Sequence, residues 1–277
     1  MTRLPDPESL VRSTGLPPSS HLQRVLVSEL MRLRNVHPLA VQRGPLMEPG
    51  PFERALRGSH HGRGAVIAEY KQGSPSLGPF AAGTPMMDQL GAYKEGGAAC
   101  FSILTEPTFF LGHPTHLEEA RDLHTPMLYK GFVLSEAQLL EAAACGAGAV
   151  LLIARVLGDH TAAFADRARS LGLEPLVELH DMTEVPFAKA ARARLVGINA
   201  RDLSTFTLGA PNAAPLREAF PDALLIRESG IVTPEDGAAA LRAGFDAVLI
   251  GEALMRSADP AGFLRRLFAS LLHEAAS

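Results

Sequence analysis

"ALLIRESGIVTPEDGAAALRAGFDAVLIGEAL", residues 223–254, contains one whole strand–helix–strand unit. An apolar run over 223–229 closes on Glu228 and Ser229. A Pro-initiated, Ala- and Leu-rich helical stretch follows over 234–243 and leaves through Gly244, and a second apolar run occupies 247–254. Both runs are apolar at successive positions rather than alternating. Strands of a parallel sheet read this way when both of their faces are buried.

Outward from this unit the same beat recurs back to residue 64. Further strand candidates lie at 64–70, 98–106, 125–131, 149–156, 174–180 and 194–201, making eight with the two above. Helical stretches separate them, among them 135–145, 162–171 and 260–272, the first followed by Gly146. Eight strand–helix repeats predict an α/β fold of the closed (β/α)8 TIM barrel type. An open doubly wound sheet is the alternative, and the G-x-G-x-x-G that would favour it does not follow the first strand. The first sixty or so residues are different, with prolines at 5, 7, 17, 18, 38, 45, 49 and 51. Helical spacing over 22–34 and a Pro-initiated stretch at 51–57 predict a helical extension, residues 1–60, packed on a barrel domain of residues 61–277.

The 277 residues, 47% hydrophobic and 20% charged, suffice for one large core. A net charge of -4 without a basic block argues against a nucleic-acid partner, so any anion site must be local. Cys100 and Cys145 are far apart and most simply small buried residues, which fits a reducing cytoplasm. The N-terminus has no apolar leader, and no run reaches the ~18 residues of a membrane span. His113-x-x-His116 has a metal-compatible spacing but sits in a Pro-containing loop without a third ligand, and reads as surface histidine. No metal or cofactor is expected. Only four of the 26 basic residues are lysines: Lys71, Lys94, Lys130 and Lys189. Lysine can exchange a proton in a tuned site where arginine cannot.

Barrel enzymes work at the C-terminal ends of their strands. There the chain places Glu69 and Lys71, Lys130, Glu178, Asn199 and Arg201, and Glu228 with Ser229. Side chains two apart share a face, so Leu128 with Lys130, Leu176 with Glu178, Gly197 with Asn199 and Ile226 with Glu228 can all point inward. One such residue alone would be an ordinary solvated rim. Two of four lysines opposite three glutamates form an acid–base set whose members push one another's pKa values apart. Ser229-Gly230 and Gly251 follow the last two strands, where this fold often holds phosphate, and Ser74 joins them from the first loop. A phosphorylated small molecule is the expected partner. His180 shares the face of Glu178 and is a candidate rim residue.

The segments IAEYKQGSPS (67–76), FSILTEPTFFLG (101–112), PMLYKGF (126–132), GAVLLIA (148–154), EPLVELHD (174–181), VGINARDL (196–203), IRESGI (226–231) and IGEALMR (250–256) occur in family order, and the chain resembles indole-3-glycerol phosphate synthases of tryptophan biosynthesis. The N-terminal helices, with the stretch 51–57 among them, also resemble, more loosely, the family's extension over the active site. The resemblance implies a carboxy-lyase that closes 1-(2-carboxyphenylamino)-1-deoxyribulose 5-phosphate into indole-3-glycerol phosphate, losing carbon dioxide and water. It implies Lys130 as general acid on the ketone, Lys71 with Glu178 as the pair for dehydration, and Glu69 as the carboxylate that holds Lys71. Asn199 and Glu228 would position the substrate, and Arg201 would face an anionic group. Ser74, Ser229, Gly230 and Gly251 would form the phosphate cradle, and Phe110 and Phe132 would flank the aromatic ring. Where the family has Lys-Asp-Phe this chain has Lys130-Gly131-Phe132, and where it has a lysine after Ser-Pro-Ser this chain has Leu77. Two alternatives follow: a divergent paralogue acting on a modified anthranilate-type substrate, and a catalytically silent phosphate-binding barrel. Phosphoribosylanthranilate isomerase shares the fold, but is expected to use Cys and Asp where this chain has Lys and Glu. A monomer or weak homodimer is expected.

Overall fold

Eight parallel strands hydrogen-bond in a closed ring in the computed structural model, in the order β1-β10-β9-β8-β7-β6-β5-β4 and back to β1. They are β1 (Ala65–Tyr70), β4 (Cys100–Leu104), β5 (Met127–Lys130), β6 (Ala149–Ile153), β7 (Glu174–Leu179), β8 (Leu195–Ile198), β9 (Leu224–Arg227) and β10 (Ala247–Ile250), while β2 (Gly73–Ser74) and β3 (Gly78–Pro79) form a small antiparallel hairpin beyond β1. The residues described are 4–36, 41, 43–59, 64–74, 78–80, 85–199 and 212–273. The expected α/β barrel is therefore the architecture of the chain.

Each strand is buried on both faces, for different reasons. Ile67, Cys100, Leu128, Leu151, Leu176, Leu195, Ile226 and Leu249 point inward and pack together inside the barrel. Their neighbours Val66, Phe101, Tyr129, Val150, Val177, Val196, Leu225 and Val248 point outward into the layer beneath the helices. This double burial is why the strands are apolar at every position.

The surrounding helices include α4 (Met86–Glu95), α5 (Thr115–Glu119), α6 (Glu136–Ala144), α7 (Ala154–Leu157), α8 (Thr161–Ser170), α9 (Val185–Ala190), α10 (Ala213–Ala219), α11 (Pro234–Arg242), α12 (Glu252–Arg256) and α13 (Pro260–His273). Capping boxes start α6 through Ser135 and Gln138, and α11 through Thr233 and Asp236 with Pro234 in its first turn. Two strand candidates end earlier than their apolar runs. The run at 149–156 turns helical at Ala154, whose neighbours Val156 and Leu157 stay buried, and the run at 247–254 gives way at Gly251 to α12. A short buried helix keeps a strand's apolar composition, so composition cannot separate the two.

The extension contains α1 (Pro7–Ser13), α2 (His21–Leu33) and α3 (Pro51–Gly58). Its helices reach opposite ends of the barrel. α2 lies at the C-terminal end, where Ser28 Oγ meets Thr108 Oγ1 at 2.7 Å and Arg32 bridges Glu29 and Glu141 at 2.7 and 3.0 Å. Tyr129 donates its hydroxyl to Glu141 at 2.6 Å and Gln138 donates to Glu29 at 2.7 Å, so the helix is tied to β5 and α6 by a polar network. Burial raises the Glu29 carboxyl above its usual range despite the opposing Arg32.

Of the extension expected over the active site, α2 is there, but the stretch at 51–57 is at the other end. Phe52 and Leu56 of α3 are buried against Ala65, Cys100, Leu128 and Ala149, all at the starts of strands. The Glu174 carboxylate accepts from the backbone N–H groups of Phe52 at 2.6 Å and Glu53 at 2.9 Å, capping a helix that has no side-chain cap of its own. Gly50 leaves that approach open, since a Cβ there would lie 2.2 Å from Glu174 Cδ. Arg194 and Arg57 pair with Glu53 at 2.7 and 2.8 Å. An apolar helix face with an acid-accepting N-terminus fits the open bottom of the barrel, and α3 plugs it.

Candidate active site

The register brings the polar inward residues to one level. Glu69 stands beside Ser102, Leu104 beside Lys130, and Glu178 between Ile153 and Gly197. Above the apolar interior a cleft opens, lined by Glu69, Lys71, Ser74, Phe110, Lys130, Phe132, Glu178, Asn199, Glu228, Ser229, Gly230 and Gly251. Twelve of the fourteen residues singled out for this site thus line one cleft, and His180, read as a candidate rim residue, is not in the lining. Arg201, like Leu77, lies outside the described residues.

Two charge clusters face each other there. Lys71 Nζ sits 2.8 Å from Glu69 Oε1, and Ser102 donates to the other Glu69 oxygen at 3.3 Å. Burial works to raise the Glu69 carboxyl, but Lys71 and Lys130 outweigh it and hold it below the usual range. Lys130 donates to Glu228 in a short hydrogen bond and lies 3.6 Å from Glu178 Oε2. Burial works to lower the Lys130 pKa, yet Glu228, Glu178 and Glu69 raise it above the ordinary lysine value. It therefore stays an ammonium.

Glu178 and Glu228 both face Lys130, and their environments separate them. Burial pushes Glu228 up to about 8, with Lys130 opposing and Glu178 adding to the rise. Glu178 is held below its usual range because Lys130, His180, Glu228 and Asn199 outweigh its burial. Of two buried acids, one is a carboxylate and the other keeps its proton near neutrality.

Glycines make room for this crowding. A Cβ on Gly197 would lie 1.8 Å from Glu228 Oε1, and one on Gly251 would lie 2.3 Å from Glu69 Oε1 and 2.9 Å from Lys71 Nζ. Gly251, read from sequence as part of a phosphate cradle, thus also clears the space in which Glu69 and Lys71 meet. Gly131 has the opposite lesson, since a Cβ there would lie 2.5 Å from Thr105 Oγ1 and 2.8 Å from the Tyr129 ring. Placing the family's Asp at 131 would require those neighbours to shift.

At the rim Ser229 Oγ meets Asn199 Oδ1 at 2.8 Å, and Gly230 adopts φ 81°, a backbone conformation that glycine permits. Phe110 and Phe132 stand 6.0 Å apart between ring centroids, forming an apolar wall. Glu106, not singled out from the sequence, fixes that wall by accepting from the N–H groups of Thr108, Phe109 and Phe110 at 3.0, 2.7 and 3.1 Å. Ser102 was also missed, although its parity with Cys100 and Leu104 places it inward. His21, Leu22 and Val25 of α2 also line the cleft, and no local pattern marks them, because only tertiary packing brings α2 there. Among the described residues no group of three or more His, Cys, Asp or Glu could hold a metal. His113 pairs with Thr115 and His116 stands edge-on to Tyr70.

Fold and site together define a (β/α)8-barrel enzyme of the acid–base type. Its relatives give the family. The indole-3-glycerol phosphate synthase profile matches residues 24–267. The chain is 44% identical over 226 residues to the indole-3-glycerol phosphate synthase of Paracidovorax citrulli (strain AAC00-1), covering 79% of this chain and 85% of that one. It is 41% identical over 222 residues to that of Ruminiclostridium cellulolyticum (strain ATCC 35319 / DSM 5812 / JCM 6584 / H10), covering 79% and 84%. Among solved structures, 3-hexulose-6-phosphate synthase from Salmonella typhimurium superposes with a TM-score of 0.58 at 14% identity, over 76% of this chain and 99% of that one, a likeness of fold alone. The chain belongs to the indole-3-glycerol phosphate synthase family.

Proposed function

We propose that this cleft performs the ring closure of its family, converting 1-(2-carboxyphenylamino)-1-deoxyribulose 5-phosphate to indole-3-glycerol phosphate, with the following division of labour. The observation that carries it is Lys130, a half-buried ammonium between Glu178 and Glu228 at the barrel mouth. As the carboxylate-bearing ring carbon attacks the ketone, Lys130 donates its proton to the ketone oxygen, so that negative charge does not build up there. Loss of carbon dioxide returns the ring to aromaticity. Lys71 then releases the hydroxyl as water while Glu178, the ionised member of its pair, accepts the proton that leaves carbon. Glu69 holds Lys71 in place through their 2.8 Å ion pair.

Asn199 and Glu228 position the amino and hydroxyl groups. Ser74, Ser229, Gly230 and Gly251 receive the phosphate, and Arg201 is assigned to an anionic group from the sequence alone. Phe110 and Phe132 flank the aromatic ring, whose burial between them favours the folded-back pose that cyclisation needs. A retained Lys–Glu acid–base set argues against a silent barrel. No helix among the described residues is long and apolar enough to cross a membrane. The same reading makes the protein a cytoplasmic monomer or weak homodimer.

Purified protein incubated with the substrate should release a product with indole fluorescence. Lys130→Ala should abolish turnover while substrate binding is largely kept. Intact substrate without product at high enzyme concentration would reject the activity. Undiminished turnover by Lys130→Ala would reject the role of that lysine.

A further inference from the structure

His180 lies directly after β7, and its side chain is only 3% exposed. Its Nε2 is 3.3 Å from Glu178 Oε1, and its Nδ1 is 3.7 Å from Glu184 Oε2. Neither ring nitrogen has a hydrogen-bond partner of good geometry, an uncommon condition for a buried polar group. The ring is also clamped from behind. Glu184 accepts from the His180 backbone N–H at 2.9 Å, and its other oxygen takes Arg155 Nε at 2.7 Å. Arg155 in turn pairs with Asp181 at 2.7 Å. A relay of contacts therefore runs Arg155, Glu184, His180, Glu178, Lys130, from the solvent-facing rim to the general acid.

From this geometry we infer that His180 is a positioning residue for Glu178: its Nε2 stands 3.3 Å from Oε1 and so leaves Oε2 to face Lys130 and the cleft. The inference rests on the reading of Glu178 as the base. A carboxylate has two equivalent oxygens and a freely turning terminal torsion. An imidazole held beside one oxygen leaves the other as the one open to the cleft, and a donor or positive charge at that place favours the ionised form. His180 occupies that place without being within contact of Lys130, so it acts through Glu178.

The test compares two replacements of similar bulk. His180→Gln keeps a side-chain donor within reach of Glu178, whereas His180→Met fills the volume and donates nothing. We expect His180→Met to lower kcat by roughly 10- to 100-fold, on the scale of lost supporting hydrogen bonds, with KM within about twofold. We expect His180→Gln to recover most of that loss. The acid limb of the kcat profile should move to higher pH in His180→Met, because Glu178 loses a group that favours its carboxylate while Lys130, Glu228, Glu184, Asp181 and Arg155 remain. Equal kcat in the two variants, or an unmoved acid limb in His180→Met, overturns the inference. Glu178→Gln, assayed alongside, keeps the two readings apart. An inactive Glu178→Gln beside an unimpaired His180→Met removes only the role of His180, whereas an active Glu178→Gln removes the base itself.

Discussion

Replacing Gly197 by alanine should disable the enzyme from a position that touches no substrate. The added Cβ would lie 1.8 Å from Glu228 Oε1 and 2.9 Å from Leu176 Cδ2. Reaching ordinary contact at about 3.4 Å requires the carboxyl to retreat by roughly 1.6 Å, since Leu176 is fully buried and has little room to yield. That retreat pulls Glu228 away from both Lys130 and Glu178. A displacement of about 1 Å in a catalytic constellation costs on the order of 100-fold, so kcat/KM should fall by at least that, about 2.7 kcal/mol in the barrier. Overpacking should also cost about 1 to 3 kcal/mol of stability, which thermal unfolding would report separately. The decisive assay is a double-mutant cycle with Glu228→Gln, read by indole fluorescence. If Gly197 matters only by housing Glu228, the double variant is no slower than the slower single one. Losses that multiply, or a folded Gly197→Ala with kcat/KM within about twofold of the parent, would refute the reasoning.

Phe52→Ala should act in the opposite way. It empties a site in the barrel plug and should lower stability by about 3 to 5 kcal/mol, while kcat of the folded protein at 25 °C stays unchanged because α3 is at the far end from the cleft; a fall in kcat without unfolding would contradict that separation. Glu228 also makes stability depend on pH. Its folded pKa of about 8 is raised above the unfolded value near 4.5, so the contribution is full below about pH 4.5 and is lost as pH rises through about 8. Glu228→Gln should therefore melt near the parent at pH 5 and above it at pH 8, and parallel melting curves at both values would show that Glu228 ionises normally.

The sequence carried the barrel because its strands are buried on both faces, and each such run is visible as unbroken apolar residues. It carried the polar lining of the cleft for a related reason: a lysine or glutamate two positions beyond an inward leucine has no other direction to point. The contributions of Glu106 and His21 were hidden, because they depend on where a loop and a remote helix dock. The plug was misplaced for the same reason, since the amphipathic pattern of α3 records that one face is buried but not against what. The strand ends at Ile153 and Ile250 were blurred because apolar residues continue into short buried helices. Gly197 was visible only as a strand glycine, and its role needs Glu228 from the neighbouring strand.

Because α3 closes the bottom of the barrel, the order of synthesis matters. Phe52 and Glu53 leave the ribosome more than a hundred residues before Glu174, which caps their helix from 122 and 121 positions downstream, and Arg194 comes 141 positions after Glu53. At about 5 to 20 residues per second, the plug waits roughly 6 to 25 seconds for its cap to be made. Throughout that interval the apolar face of α3 has no finished barrel to enter. α3 is thus made before the barrel that it closes, so a nascent chain stalled before β7 exposes Phe52 and Leu56 to whatever hydrophobic surface is nearby.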